Sequence, residues 1–349
     1  QNRLIADEKT AEANAAALAF EGQRDAAKLE AEKASALADF LGEILNSIDP
    51  KTAMTMDTEL MLQVLQNASV KLNAEGATLP EVEIQVRQYI ANAFESIHNF
   101  PLALEQQERV QALEIQLKGE DHPLAIAVGM RRASLLRWMD RDEEAIELFI
   151  ATRDRLIEVE GPDSPLGETA TAYLSGALSK VGRVSEAIAM EEQLLNKKRA
   201  RLGPRHPEVL STLRSLAINY SYAGNYDRQI SLWREYREHM LAEHGPDHPE
   251  ILYADKEIAG AYKDKGELEE ALVQYEAVLH QCETIHGDQH PEYATVLSDI
   301  GLVNFYLERY ETAIGYLERA RALERELYGP SHFYPIVSGR GIATCLRRL

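Results

Sequence analysis

The sequence predicts an all-α protein: a solenoid of stacked helix pairs, preceded by a long N-terminal helix. Three observations carry that expectation. Gly119, Gly161, Gly203, Gly245, Gly287 and Gly329 recur every 42 residues, and a fixed period of this size marks a repeat array. Small residues keep the same period at Ala91, Ala133, Ser175, Ala217, Ala259, Gly301 and Ala343, and again at Ala103, Ala145, Ala187, Ala271 and Ala313, broken only by Gln229. Between these marks apolar residues are spaced by three and four, with no strand alternation to compete.

Taken in order, residues 1–46 form a stretch rich in Ala, Glu and Lys with an 11-residue phase through Leu4, Ala15, Ala26 and Leu37. That period suits a nearly straight helix acting as a stalk or linker. Its second half is expected to pack on a helix at 57–74, an atypical layer within 47–79; the sharper reading pairs the long helix with a second copy as a homodimer. Residues 80–349 then hold six full repeats and a terminal helix near 335–349. In 207–223 the amphipathic stripe is Val209, Leu213, Leu216, Ala217 and Tyr220; in 268–285 it is Leu268, Ala271, Leu272, Tyr275, Val278 and Leu279. Each unit reads as helix A, a short turn, helix B and a link: GEDHP at 119, GPRHP at 203, GPDHP at 245 and GDQHP at 287, with GPDSP at 161 and GPSHF at 329. The link glycine is expected to end a helix in the left-handed conformation, and proline to open the next one. A second turn set, Asp140, Gly182, Gly224, Gly266 and Glu308, lies between A and B. Small residues let two helices approach, and Phe149, Trp233 and Tyr275 fill the space beside them.

A small residue in helix A (Ala217), Tyr220 three later, Ala in helix B (Ala271) and the G-x-x-H-P link resemble the tetratricopeptide repeat, in the 42-residue variety found in kinesin light chains and many bacterial proteins. The resemblance covers about 80–349 and implies an all-α, right-handed superhelical solenoid with a concave face lined by A helices. The order of an Ala/Glu/Lys helix, ALADFLGEIL at 36–45, Asp49–Pro50 and an ELMLQVLQNAS helix resembles bacterial transmembrane serine/threonine kinases, in which a kinase domain and a membrane helix precede such repeats. That likeness implies a sensory or scaffolding region on the extracytoplasmic side. The alternative is a cytoplasmic adaptor, or the sensing arm of a nucleotide-switch receptor with no kinase.

Composition narrows the partners. Fifty-seven acidic residues against 37 basic give a net charge of −20, which argues against nucleic acid or anionic lipid as the partner of the whole surface. No apolar run approaches the roughly 20 residues of a membrane span, so any membrane contact is expected through a segment outside this one. Gln1 begins nothing that reads as a signal peptide, and a piece of a longer protein is expected. Cys282 and Cys345 cannot form a disulfide framework.

Catalytic constellations are missing: there is no Gly-rich phosphate loop with a following Lys, no HExxH, no CxxC and no GxSxG. No catalytic residue, cofactor or metal is expected. His122, His206, His248, His290 and His332 tempt a zinc reading, but neighbouring repeats lie roughly 8–10 Å apart, whereas zinc holds its nitrogens at about 2 Å. A polar turn residue ahead of proline is the better reading. The Lys197, Lys198, Arg199 and Arg201 cluster reads first as a helix end that opposes the dipole, and Asn67-Ala68-Ser69 as a cheap sequon match inside a helix.

What remains is the groove. Carrying the inner positions of the repeat across gives Tyr89, Asn92, Arg131, Tyr173, Arg214, Tyr222, Tyr253, Lys256 and Tyr306 as the partner-binding candidates, with Gln88, Met130 and Ser134 beside them. This mix of aromatic and cationic anchors suits a protein or peptide ligand. Arg214 and Lys256 hold equivalent positions and are expected to share one concavity, answered by an acidic or extended peptide with Tyr173, Tyr222 and Tyr253 packed along it; intramolecular acids such as Glu257 are the plainer answer. The two-carboxylate clamp of chaperone-binding repeats is not reproduced: Asn92 fits, but Arg131, Thr169 and Tyr173 stand where Asn, Lys and Arg belong. The paired Asn of kinesin light chains is replaced by Arg214–Ser215 and Lys256–Glu257.

Overall fold

A computed structural model describes residues 58–75 and 79–349. The predicted long helix of 1–46, with its stalk and pairing readings, lies outside the described residues. Fourteen helices and no strand are found among those described: α1 (Thr58–Glu75), α2 (Pro80–Ser96), α3 (Phe100–Lys118), α4 (Pro123–Trp138), α5 (Asp142–Glu160), α6 (Pro165–Lys180), α7 (Val184–Leu202), α8 (Pro207–Tyr222), α9 (Tyr226–His244), α10 (Pro249–Lys265), α11 (Leu268–His286), α12 (Pro291–Tyr306), α13 (Tyr310–Tyr328) and α14 (Phe333–Leu346). From α2 onward the even-numbered helices are A helices and the odd-numbered ones B helices. No described helix is long and apolar enough to cross a membrane.

The described residues divide into two compact units, one ending at Tyr173 and the other beginning at Leu174. In the first, α2 packs on α3, α3 on α4 and α4 on α5. Its core joins Ala68 and Leu72 of α1 to Val82, Val86, Ile90 and Phe94 of α2. In the second, consecutive helices from α7 to α14 pack pairwise. There Trp233, fully buried, anchors one cluster with Leu213, Leu216 and Ile251, and Tyr275 anchors another with Val296, Leu297 and Ile300. Each such side chain stabilises by about 1.5–3 kcal/mol on burial. The small residues Ala133, Ala145, Ala217, Ala259, Ala271 and Ala313 have no exposed surface, so each marks close helix approach.

The links assign the histidines. In α4, α8, α10, α12 and α14 the residue before the helix is His122, His206, His248, His290 or His332, whose Nδ1 accepts from the amide two residues on, at 3.1–3.4 Å. These side chains are N-caps that satisfy a helix-start donor. Where the link reads GPDSP, Ser164 Oγ takes the same role and accepts from the Gly167 amide at 2.9 Å. The rings of His248 and His290 also stack on His244 and His286, at 4.5 and 4.3 Å.

One expectation is corrected here. The link glycines have positive φ, but their ψ is extended: Gly203 has φ 84 and ψ 162, Gly245 φ 81 and ψ 173. This region is essentially restricted to glycine, a sharper reason for its recurrence than a left-handed helix end. The left-handed residue sits instead at the A-to-B turn, where Gly266 has φ 87 and ψ 5. His98, Asp140 and Glu308 occupy the equivalent turns with φ of 60, 56 and 60 despite their side chains.

Candidate functional site

In the first unit the A helices α2, α4 and α6 bring Tyr89, Asn92, Arg131 and Tyr173 onto one surface. Their helical spacing places core residues such as Ile90 and Ala133 inward and these residues outward. Tyr89 is 63% exposed, Tyr173 47% and Trp138 68%. Tyr173 stacks on buried Phe149 with ring centroids 6.0 Å apart, and Trp138 stacks on Phe100 at 5.8 Å. Both rings are thus held by one face while the rest stays open to solvent. Arg131 donates to the Asn92 carbonyl oxygen, a neutral partner that orients the guanidinium without cancelling its charge. A cavity of about 430 Å³ runs along this surface, lined by Met130, Arg131, Ser134, Trp138, Thr169 and Tyr173 among others. Sequence reasoning missed Trp138. The signal was available, because Trp138 holds the repeat position of Tyr222 and Tyr306 at 84-residue intervals.

The second unit treats its cations differently. Arg214 on α8 lies 3.6 Å from Glu250 in the first turn of α10, and its guanidinium sits 4.7 Å from the Tyr253 ring centre. Lys256 on α10 is paired with Glu292 in the first turn of α12 and stands 5.6 Å from the same ring. The two bridges repeat one pattern, a mid-helix cation reaching the next A helix's first-turn glutamate. Tyr236 donates to Glu250 at 2.7 Å, and burial together with that carboxylate pushes its hydroxyl pKa up. Tyr253 packs edge-on to Trp233 at 5.4 Å. Of the two answers expected for Arg214 and Lys256, the structure shows the intramolecular one, with Glu250 and Glu292 as the acids. Glu257, whose carboxyl is pushed up by burial, lies within electrostatic reach of both cations but makes no ion pair with them among the described residues. Tyr222 and Tyr306 stand exposed at the C-terminal ends of α8 and α12.

The basic cluster on α7 is also answered within the chain. Lys198 is buried and lies 3.4 Å from Glu208, and Arg199 donates to Glu235 at 2.5 Å. Ser69 of the sequon match donates to the Leu65 carbonyl at 2.9 Å within α1.

A buried polar knot escaped sequence reasoning. Glu191 occupies the repeat position of Phe149, Trp233 and Tyr275 and is 1% exposed. It accepts from Ser215 and, at 2.9 Å, from Asn219; Asn219 also donates to Ser175 at 3.0 Å. Burial raises the Glu191 carboxyl, and these donors oppose the rise. An Asn at a helix-A core position was the available signal.

Among known proteins, the tetratricopeptide repeat family models match residues 169–208 and 250–326. Nothing among the curated proteins matches the chain. Solved structures resemble it at the level of fold. Nearly identical TPR-like repeats of a kinesin-light-chain-like protein from Podosopora anserina are 22% identical, covering 59% of this chain and 98% of theirs, with a TM-score of 0.53. A tetratricopeptide repeat protein from Parabacteroides merdae is 13% identical over 89% of this chain and 99% of its own, at 0.53. A signal transduction ATPase with numerous domains from Pyrococcus horikoshii, which carries a tetratricopeptide repeat sensor, is 12% identical over 89% of this chain and 49% of its own, at 0.55. The matched segments are tetratricopeptide repeats, a fold that generally mediates protein–protein interaction and is typically non-catalytic.

Proposed function

We propose that this repeat region binds a protein partner by docking an extended peptide on the A-helix face of the first unit. Apolar side chains lie against Tyr89, Trp138 and Tyr173, and one carboxylate answers Arg131. The observation that carries the reading is the contrast between the units: Arg214 and Lys256 are paired with acids, whereas Arg131 is held by neutral Asn92 between exposed aromatic rings. Aromatic and Arg anchors dominate interface energetics. The test is a peptide selected from a random display library and measured by fluorescence anisotropy. Trp138→Ala and Tyr173→Ala each weaken it by tenfold or more, and Arg131→Gln weakens it and flattens its salt dependence. Unchanged affinity in these variants, with loss in Arg214→Gln, refutes the reading.

For the parent protein, the sensory or scaffolding region of a bacterial serine/threonine kinase is supported by the order of motifs in residues 1–69. The sensing arm of a nucleotide-switch receptor is supported by the fold likeness to the Pyrococcus ATPase. The reading frame upstream of Gln1 separates them: an apolar span of about 20 residues favours the kinase.

A further inference from the structure

A cavity of about 340 Å³ lies in the second unit between α12, α13 and α14. At about 30 Å³ per water it has room for about eleven waters. Leu302 and Phe305 of α12, Leu317 of α13 and Val337 of α14 supply apolar walls. Its origin is legible in the repeat. The position occupied by Tyr89, Arg131, Tyr173, Ser215, Glu257 and Asp299 in the six repeats is Gly341 in the last helix. A Cβ added there would come 3.0 Å from Leu317 Cδ1, so a side chain at 341 would occupy the space left open.

The polar groups on the walls are answered, with one exception. Ser338 donates to Glu324 at 2.7 Å, Ser298 to the same carboxylate at 3.4 Å, and Thr344 to the Arg340 carbonyl at 2.8 Å. Asp299 has no hydrogen bond and no ion pair among the described residues. Lys256 and Lys263 act on it only at longer range, being engaged with Glu292 and Asp264. Burial pushes its carboxyl up to about 6, against 3.8 ordinarily. A half-buried carboxylate with no ion pair, beside an apolar hollow, is stabilised by a cation placed against it.

We infer that this cavity is a binding site for a small primary amine carrying one apolar ring or short alkyl chain, its ammonium against Asp299 and its apolar part against Leu302, Phe305, Leu317 and Val337. The site takes nothing from the peptide-docking face of the first unit and stands or falls apart from it. The probe is 2-phenylethylamine, titrated by calorimetry with methyl NMR shifts of Leu302, Leu317 and Val337 as the second readout, and 2-phenylethanol as the neutral match. Saturable one-to-one binding of the amine is expected, at least tenfold tighter than the alcohol. Asp299→Asn brings the two ligands level, and Gly341→Val abolishes binding of both. The amine-over-alcohol ratio in the unaltered protein keeps the charge comparison intact even where Asn at 299 disturbs folding. No saturable binding, equal affinity for amine and alcohol, or binding that survives Gly341→Val overturns the inference.

Discussion

Gly301 and Gly315 pose the same chemical change in opposite surroundings. Both sit in helix interiors, Gly301 in α12 and Gly315 in α13, where Gly→Ala gains about 0.8–1.0 kcal/mol of helix propensity. At Gly315 a new Cβ meets nothing within 4 Å, so Gly315→Ala should stabilise by about that amount. At Gly301 the new Cβ falls 2.7 Å from Leu317 Cγ, 2.9 Å from Leu317 Cδ2 and 3.4 Å from the Ala313 carbonyl oxygen. Leu317 is almost fully buried and can yield only towards the cavity it walls, and overpacking of this kind costs about 1–3 kcal/mol. Gly301→Ala should therefore be neutral to destabilising by about 2 kcal/mol, although four other repeats carry alanine at this position. Urea unfolding by circular dichroism, with slopes checked for a common transition, reads the difference between the two variants as the steric cost. Equal stabilisation by both substitutions would refute the close approach of α12 and α13 described here.

Glu308→Gly should stabilise by about 1 kcal/mol, because Glu308 holds a φ of 60 that costs a side-chain-bearing residue about 1–2 kcal/mol; a lower melting temperature would contradict the strain. His248→Ala should cost about 1 kcal/mol as a lost N-cap, with most of it restored in His248→Asn, whereas equal melting temperatures for the two variants would remove the cap assignment. Asp299 sets a pH dependence: its folded pKa is raised from 3.8 to about 6. Its contribution is fully present below about pH 4 and lost as pH rises through about 6, amounting to at most about 3 kcal/mol. Lys256 and Lys263 oppose the rise while Glu292 and Glu257 add to it. The wild type should gain more urea resistance than Asp299→Asn between pH 7 and pH 5, and parallel curves would contradict the burial.

The helix-pair architecture was legible because every repeat writes it twice, in glycine and proline at the links and in small residues at the helix crossings. The histidines were legible as turn residues for the same reason, and their imidazoles supply the caps. What escaped was pairing across 36 residues: the acid that answers Arg214 is Glu250 of the next helix start, not Glu257. A 42-residue period aligns equivalent positions and says nothing of which unlike positions meet. The Glu191 knot escaped because burial of a carboxylate runs against the apolar pattern of its sister repeats. Trp138 escaped because its repeat position was carried to Tyr222 and Tyr306 but not back to the end of α4.

The proposed docking of the partner on the first unit's A-helix face is open to direct test. Photo-crosslinking tests it most directly, with benzoylphenylalanine placed in turn at positions 89, 138 and 173, and at exposed Val273 of α11 as the control. With a library-selected peptide, mass spectrometry should find adducts at 89, 138 and 173 and none at 273. Adducts at 273, with none from the three A-helix positions, would contradict the account.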